Sequence, residues 1–354
     1  MRIANPGPSA TASAEAAADA AGPLHENAAL ARPRALGRIF NSSPAYMGAV
    51  LIGLLIVFSV LAPTAFMTGT NLRNVALDAS TLLVMAVGMT FVMVAGGFDL
   101  SIGSVLVFAN VMAAKVMGLM GTDNALTVIV GLLVAIASGT AWGVFNGYCI
   151  TKLRVPALIT TLGTLGAALG AANLLTGGTD LRTVPLSLID VGTALPLGVS
   201  WLVWIALLVA VVAGLILHLT RFGRRTYVIG SNAEAARRAG INVDRHLMAL
   251  YALSGAAGGL AGILALAQFG STTISGHGTD VITVVEGVVL GGTSLFGGIG
   301  TVTGTVIGIL IPATLNNGFI IKNVQPFWQQ VATGLILIAA VYLDQLKRRS
   351  RQRS

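Results

Sequence analysis

Hydrophobic positions along the chain fall into long runs with few polar interruptions. They cover roughly 45–65, 75–96, 100–119, 126–147, 156–176, 198–219, 247–269, 281–294, 299–316 and 327–344, many of them near the roughly 20 residues a helix needs to cross a bilayer. The alternating segments of about ten residues that mark a membrane β-barrel do not occur. The pattern predicts an all-α integral membrane protein of about ten transmembrane helices. Glycines interrupt the pair covering 281–316, and its first member is short for a full crossing; partly broken helices are expected there. Residues 1–44 carry no apolar stripe. Their Ala/Pro/Ser-rich text, "NPGPSATASAEAAADAAGP", predicts a disordered tail. The first apolar run starts only near Tyr46, after Arg32, Arg34 and Arg38, which reads as a retained cytoplasmic anchor and not as a secretory signal.

Composition agrees with the pattern. The chain is 55% hydrophobic and 10% charged, against about 25% charged in a soluble domain. Its formal net charge of +8 divides by side. With ten spans and both termini inside, 17 of the 21 Lys and Arg fall in cytoplasmic segments, while Arg73, Lys115, Arg182 and Lys322 lie toward the outside, as the positive-inside rule requires. Topology and lipid headgroups therefore account for the charge, and no nucleic-acid partner is needed. The resulting domain plan is a cytoplasmic tail (1–44), a transmembrane domain (45–344) with a cytoplasmic loop at 220–246, and a basic cytoplasmic tail (345–354).

Several chemistries are excluded. The single cysteine, Cys149, rules out an internal disulfide. His25, His218, His246 and His277 show no metal-ligand spacing, so no metal and no cofactor are expected. A P-loop needs a Gly-Lys pair, but Lys115, Lys152, Lys322 and Lys347 follow Ala, Thr, Ile and Leu. No nucleophile–base constellation is visible. The chain is expected not to be an enzyme; if ATP drives it, another polypeptide hydrolyses the ATP.

The cytoplasmic loop contains "SNAEAARRAGI" (231–241). Ser231 and Glu234 have capping-box spacing, Glu234 and Arg238 are placed for an i,i+4 ion pair, and Gly240 stands where a left-handed cap is wanted. Together they predict a helix of about two turns, roughly 12 Å long. Ala235 and Ala239 share a face, with Ala236 nearby and Arg237 on the charged rim. That low ridge suits either docking into a partner's shallow groove or rest on the chain's own membrane domain.

Polar residues within the apolar runs are candidates for a solute path. Asp99, in "AGGFDLSIGS", either caps a helix beginning at Leu100 at the cytoplasmic surface or faces a water-filled path; the two roles are compatible. Ser101 lies in the same break. Glu286 is the other carboxylate in an apolar run, beside the first short segment. Asn110, Asn146 and Asn316 offer neutral hydrogen bonding suited to sugar hydroxyls, or to contacts between helices. The chain has 44 glycines, many at close-packing spacing: Gly255/Gly259, Gly258/Gly262, and the series Gly300, Gly304, Gly308. "GGFDLSIGS" and "GGTSLFGGIGT" share a pattern, suggesting a weak two-half internal repeat.

Four stretches carry a family resemblance: "AVGMTFVMVAGGFDLSIGSVL" (86–106), "NGYCITKLRVPALITTLGTL" (146–165), "RFGRRTYVIGSNAEAARRAGINV" (221–243) and "GVVLGGTSLFGGIGTVTGTVIG" (287–308). In order and spacing they resemble the ribose-type, simple-sugar permeases of ATP-binding-cassette (ABC) importers, over about 46–344. Ile299 departs from a position often basic in such proteins. The resemblance implies a multi-pass permease subunit of a bacterial inner membrane that imports a monosaccharide by alternating access. It implies as partners a second permease chain (a homodimer), two ATPase subunits and a periplasmic substrate-binding protein. It makes residues 231–241 the coupling segment received by the ATPase. Alternatives are a permease for branched-chain amino acids or nucleosides, an ion-driven secondary transporter, for which Asp99 and Glu286 are the only coupling carboxylates, and a membrane-embedded enzyme.

Overall fold

A computed structural model describes residues 43–332, 334, 335, 338 and 342; the two tails, 1–42 and 345–354, lie outside the described residues. Among the described residues twelve helices have both ends defined: α1 (Ser43–Leu61), α2 (Gly69–Val94), α3 (Ile102–Met120), α4 (Ala125–Thr151), α5 (Ala157–Thr176), α6 (Leu186–Thr193), α7 (Trp201–Leu219), α8 (Arg221–Ser231), α9 (Ala233–Arg238), α10 (Val243–Phe269), α11 (Asp280–Leu290) and α12 (Val302–Ile321), with a short 3-10 turn at Pro196–Gly198. Among the described residues there is no strand.

Local sequence sets these boundaries. Side-chain oxygens of Thr68, Asn124, Ser200 and Thr301 accept from backbone N–H groups in the first turns of α2, α4, α7 and α12, satisfying donors that a helix start leaves open. Gly121, Gly177 and Gly270 end α3, α5 and α10 in the left-handed conformation, which glycine adopts without steric cost.

Seven helices, α2, α3, α4, α5, α7, α10 and α12, are long and apolar enough to cross a membrane, and α1 holds a shorter apolar stretch, Tyr46–Leu61. The expected span at 281–294 is corrected. Helix α11 has 11 residues, about 16 Å at 1.5 Å per residue, half of a hydrocarbon core about 30 Å thick. Of the expected span at 327–344, residues 327–332, 334, 335, 338 and 342 are described and are helical; the rest lie outside the described residues.

Helix α10 is the centre of the bundle and packs on α2, α3, α4 and α6. Its glycines explain how. A Cβ at Gly255 would strike the Gly139 carbonyl and come within 2.9 Å of the Gly143 backbone, and one at Gly259 would meet the backbone of Ala135 and Ile136; both glycines face α4. Gly258 and Gly262 turn to α3, where an added Cβ would reach the carbonyls of Ile102 and Leu106 at 3.2 and 2.7 Å. Each glycine pair is thus a separate seam, one helix backbone laid against another. Gly304 and Gly308 of α12 meet Gly291, the C-cap of α11, and Gly287 within α11 in the same way. Gly300 does not continue that series: it precedes the cap of α12 and packs on Thr293 and Val94.

Candidate functional site

Between α2 and α3 the chain breaks. α2 ends at Val94, whose carbonyl accepts from Gly298 N–H at 2.8 Å, and Gly96 takes φ +82° to reverse the backbone. The break delivers Asp99 into the interior, where it is buried. Its Oδ1 accepts from the Ser101 N–H at 3.1 Å and the Ser101 hydroxyl at 2.6 Å; its Oδ2 accepts from the Ser254 hydroxyl at 2.7 Å. Asn146 Nδ2 donates to Ser101 Oγ at 2.8 Å, and Thr164 Oγ1 donates to Asn146 Oδ1 at 2.8 Å. One directed chain of hydrogen bonds therefore ties α5, α4, the break and α10 together. Ser254 is eleven residues into α10, about 16 Å from its start. The expected role of Asp99 as a surface cap is corrected. Helix α3 starts at Ile102, with Ser101 in the cap position and no side-chain cap bond, so Asp99 lies two residues before the cap and is buried.

The other expected path residues lie elsewhere. Asn110 is buried on α3 and donates to the Gly262 carbonyl at 3.2 Å, stapling α3 to α10. Glu286 is buried on α11, and neither of its carboxyl oxygens has a hydrogen-bond partner among the described residues. Asn316 is exposed on α12, in an open pocket of about 310 Å³ shared with Thr279, Thr283 and Gln330. Of the six residues, only Asp99, Ser101 and Asn146 come together.

Sequence reasoning missed Ser254 and Thr164. Ser254 lies four residues before Gly258, a small-residue spacing that could have signalled it; Thr164 carries no signal. It also missed a second cavity, of about 210 Å³, beside the Asp99 network. That cavity is lined by Gly103 and Ser104 of α3, Asn173 of α5, and Ser275 and His277 of the segment before α11. His277 is held on both sides: its Nδ1 lies 2.6 Å from Asp280 Oδ2 and its Nε2 2.7 Å from Thr273 Oγ1.

The loop helix forms one residue later than its sequence suggests. Ser231 closes α8, and Asn232 is the cap of α9, its Oδ1 accepting from Ala235 N–H at 2.9 Å; the Ser231/Glu234 capping box is not made. Asparagine caps as well as serine, and Asn232 has the extended backbone a cap requires. Helix α9 has six residues, about 9 Å, shorter than expected. The Arg238–Glu234 pair forms at 3.3 Å, and Gly240 adopts φ +80°. Ala236 is buried against the chain's own bundle and so leaves the expected ridge, whereas Ala235 and Ala239 stay exposed. Asp244, at the start of α10, binds Arg237 at 3.0 Å and Arg154 at 3.1 Å. Arg154 belongs to the turn between α4 and α5, so these pairs tie α9 to two parts of the bundle.

Residues 71–341 match the family described as branched-chain amino acid transport system / permease component. The chain belongs to this permease family. Relatives include the ribose import permease protein RbsC of Escherichia coli K12, 38% identical over 304 residues that cover 84% of this chain and 92% of the relative. The L-arabinose transport system permease protein AraH of the same strain is 36% identical, over 85% and 92% of the two chains. The D-allose transport system permease protein AlsC of that strain is 31% identical, over 84% and 90%. No solved structure matches the permease. The resemblance drawn from the four motifs and these relatives agree.

Proposed function

We propose that this permease is the membrane-spanning subunit of an ABC importer that carries a monosaccharide into the cytoplasm. The observation that carries the reading is likeness over more than four-fifths of the chain to permeases named for ribose, L-arabinose and D-allose. The site chemistry supports it. The open pocket at Asn316 combines hydroxyl and amide side chains with the apolar Ile282 and Pro326 and has no charged group, which suits an uncharged, hydroxyl-rich solute. A zwitterionic amino acid, the cargo in the family description, would call for charged partners there.

The chain crosses the inner membrane about ten times with both termini inside, the short α11 and the irregular segments flanking it together making one of the crossings. Two copies face each other, with the polar pockets of α11 and α12 toward their shared axis. A substrate-binding protein delivers the sugar from outside. ATP is hydrolysed by separate subunits, each receiving the exposed Ala235–Ala239 face of α9 in a groove. Closure of those subunits moves α9, and the Asp244 ion pairs pass the movement to α10 and to the α4–α5 turn. Glycine seams let the helices shift without unlocking side chains.

The test is reconstitution in vesicles with the neighbouring ATPase and binding protein and with labelled pentoses, hexoses and leucine. ATP-dependent uptake of a sugar is expected. Uptake of leucine alone, or sugar uptake by the permease with no second polypeptide, overturns the proposal.

A further inference from the structure

On the flank of the bundle, α7 meets α12 along a crease open to the surroundings. Its volume is about 610 Å³, and its walls are almost wholly carbon: Ala210, Gly214 and Leu215 on one side, Val302, Val306 and Ile307 on the other, with Thr303 among them. At one end the lining changes. His218 and Leu219 close the crease there. The His218 ring stacks on Tyr227 with centroids 6.2 Å apart, and the Tyr227 hydroxyl donates to the Gly300 carbonyl at 2.6 Å, so the imidazole is held in place. Arg224 reaches back from α8 to donate to the Leu219 carbonyl at 3.2 Å, and Arg221, two residues past Leu219, is exposed. Among the described residues neither Arg221 nor Arg224 pairs with a carboxylate.

An apolar trough that ends at two unneutralised guanidinium groups has the two-part chemistry of a phospholipid. We propose that the crease binds one anionic glycerophospholipid, with an acyl chain along α7 and α12 and its phosphate at Arg221, Arg224 and His218. The carbon walls exclude water and favour a chain over any polar occupant. The guanidinium groups supply charge-assisted hydrogen bonds to phosphate oxygens. Basic pockets between membrane helices at the cytoplasmic side select anionic headgroups. The proposal rests on the chain's being a membrane permease, not on the solute it carries. Lipid binding is read without transport, so its failure leaves the importer reading intact.

The experiment is native mass spectrometry of the full-length permease, stripped of lipid in detergent. It is offered phosphatidylglycerol, phosphatidylcholine or inorganic phosphate in turn. Retention of one phosphatidylglycerol well above phosphatidylcholine is expected. Each basic residue near a membrane surface contributes about fivefold in affinity, so R221Q/R224Q should weaken phosphatidylglycerol about 25-fold while leaving the size-exclusion profile unchanged. R221K/R224K should keep most of it. Gly214→Leu fills the trough, since an added Cβ there meets only the Val302 Cβ, at 3.7 Å; it should lower retention of both lipids together. Equal retention of the two lipids overturns the proposal, as does an unaffected R221Q/R224Q variant. Competition by inorganic phosphate alone would assign the basic end to free phosphate. A Gly214→Leu variant that loses its dimer but keeps its lipid would assign the crease to a second copy of the chain. Either result also overturns the proposal.

Discussion

The direction of the hydrogen bonds through Asn146 makes an unusual prediction: replacing it with leucine should harm the fold less than replacing it with the nearly isosteric aspartate. Asn146 donates to Ser101 Oγ and accepts from Thr164, each at 2.8 Å. Leucine removes both bonds but strands no neighbour. The Thr164 hydroxyl still has the Thr160 carbonyl at 3.1 Å, and the Ser101 hydroxyl still donates to Asp99 at 2.6 Å. Two buried neutral hydrogen bonds at about 0.5–1.5 kcal/mol each set the cost near 1–3 kcal/mol. Aspartate keeps the bond from Thr164 but places an acceptor where a donor stood. Serine has a single hydroxyl hydrogen, already committed to Asp99, so the new carboxylate faces a second carboxylate across one oxygen. A buried charge left without its partner costs about 3–5 kcal/mol. Leucine should therefore be the milder change by about 2 kcal/mol. With roughly 2–4 °C of melting temperature per kcal/mol for a chain of 150–250 residues, the gap should amount to several degrees. The assay is loss of the monodisperse size-exclusion peak after heating in detergent. An N146D variant that melts with or above N146L would show that the chain of donors does not run from Thr164 to Asp99.

Other outcomes follow from the same geometry. Ala235→Trp or Ala239→Trp on the exposed face of α9 should abolish pull-down of the ATPase subunit with membrane insertion intact, whereas Arg221→Gln should leave that pull-down unchanged; unaltered pull-down by both tryptophan variants refutes the docking role. Gly255→Val should lower the melting temperature through overpacking of about 1–3 kcal/mol or more, since its Cβ meets the α4 backbone; a neutral effect would mean that the seam is not closed. Asn316→Leu should raise the KM for sugar uptake about 2- to 10-fold, the loss of one hydrogen bond, without changing assembly. An unchanged KM removes the Asn316 pocket from the path.

Long-range features of the bundle were legible because they rest on period and composition. Seven crossing helices and their caps follow from apolar runs bounded by Thr, Asn, Ser and Gly. The glycine pairs of α10 were visible as spacing, but which helix each pair meets depends on its angular position, which no linear pattern reveals. α11 read as a possible crossing because its apolar text continues through Gly291 and Gly292; there the chain leaves the helix, with Gly292 at φ +88°, a conformation glycine adopts without steric cost. The cap of α9 was misplaced by one residue because Ser231 and Asn232 are both good caps, and the preceding helix claims the serine. In the site, Asp99 stood out as a lone charge. Ser101 and Asn146 were candidates as well, but Ser254 and Thr164 were not, because serine and threonine are common in membrane helices as local back-bonding groups, and only the fold brings these two within reach.

The two bald faces of α10 have a mechanical corollary. Gly255/Gly259 and Gly258/Gly262 are three residues out of phase, about 60° apart around the axis at 3.6 residues per turn. A cylinder wedged against two neighbours in this manner resists spinning, because either roll drives bulk into a backbone. Gliding lengthwise meets less bulk along these glycines, and is held by the bond from Asn110 to the Gly262 carbonyl. A push delivered at Asp244 should therefore emerge as a piston stroke of this rod, felt first where Ser254 grips the Asp99 carboxylate.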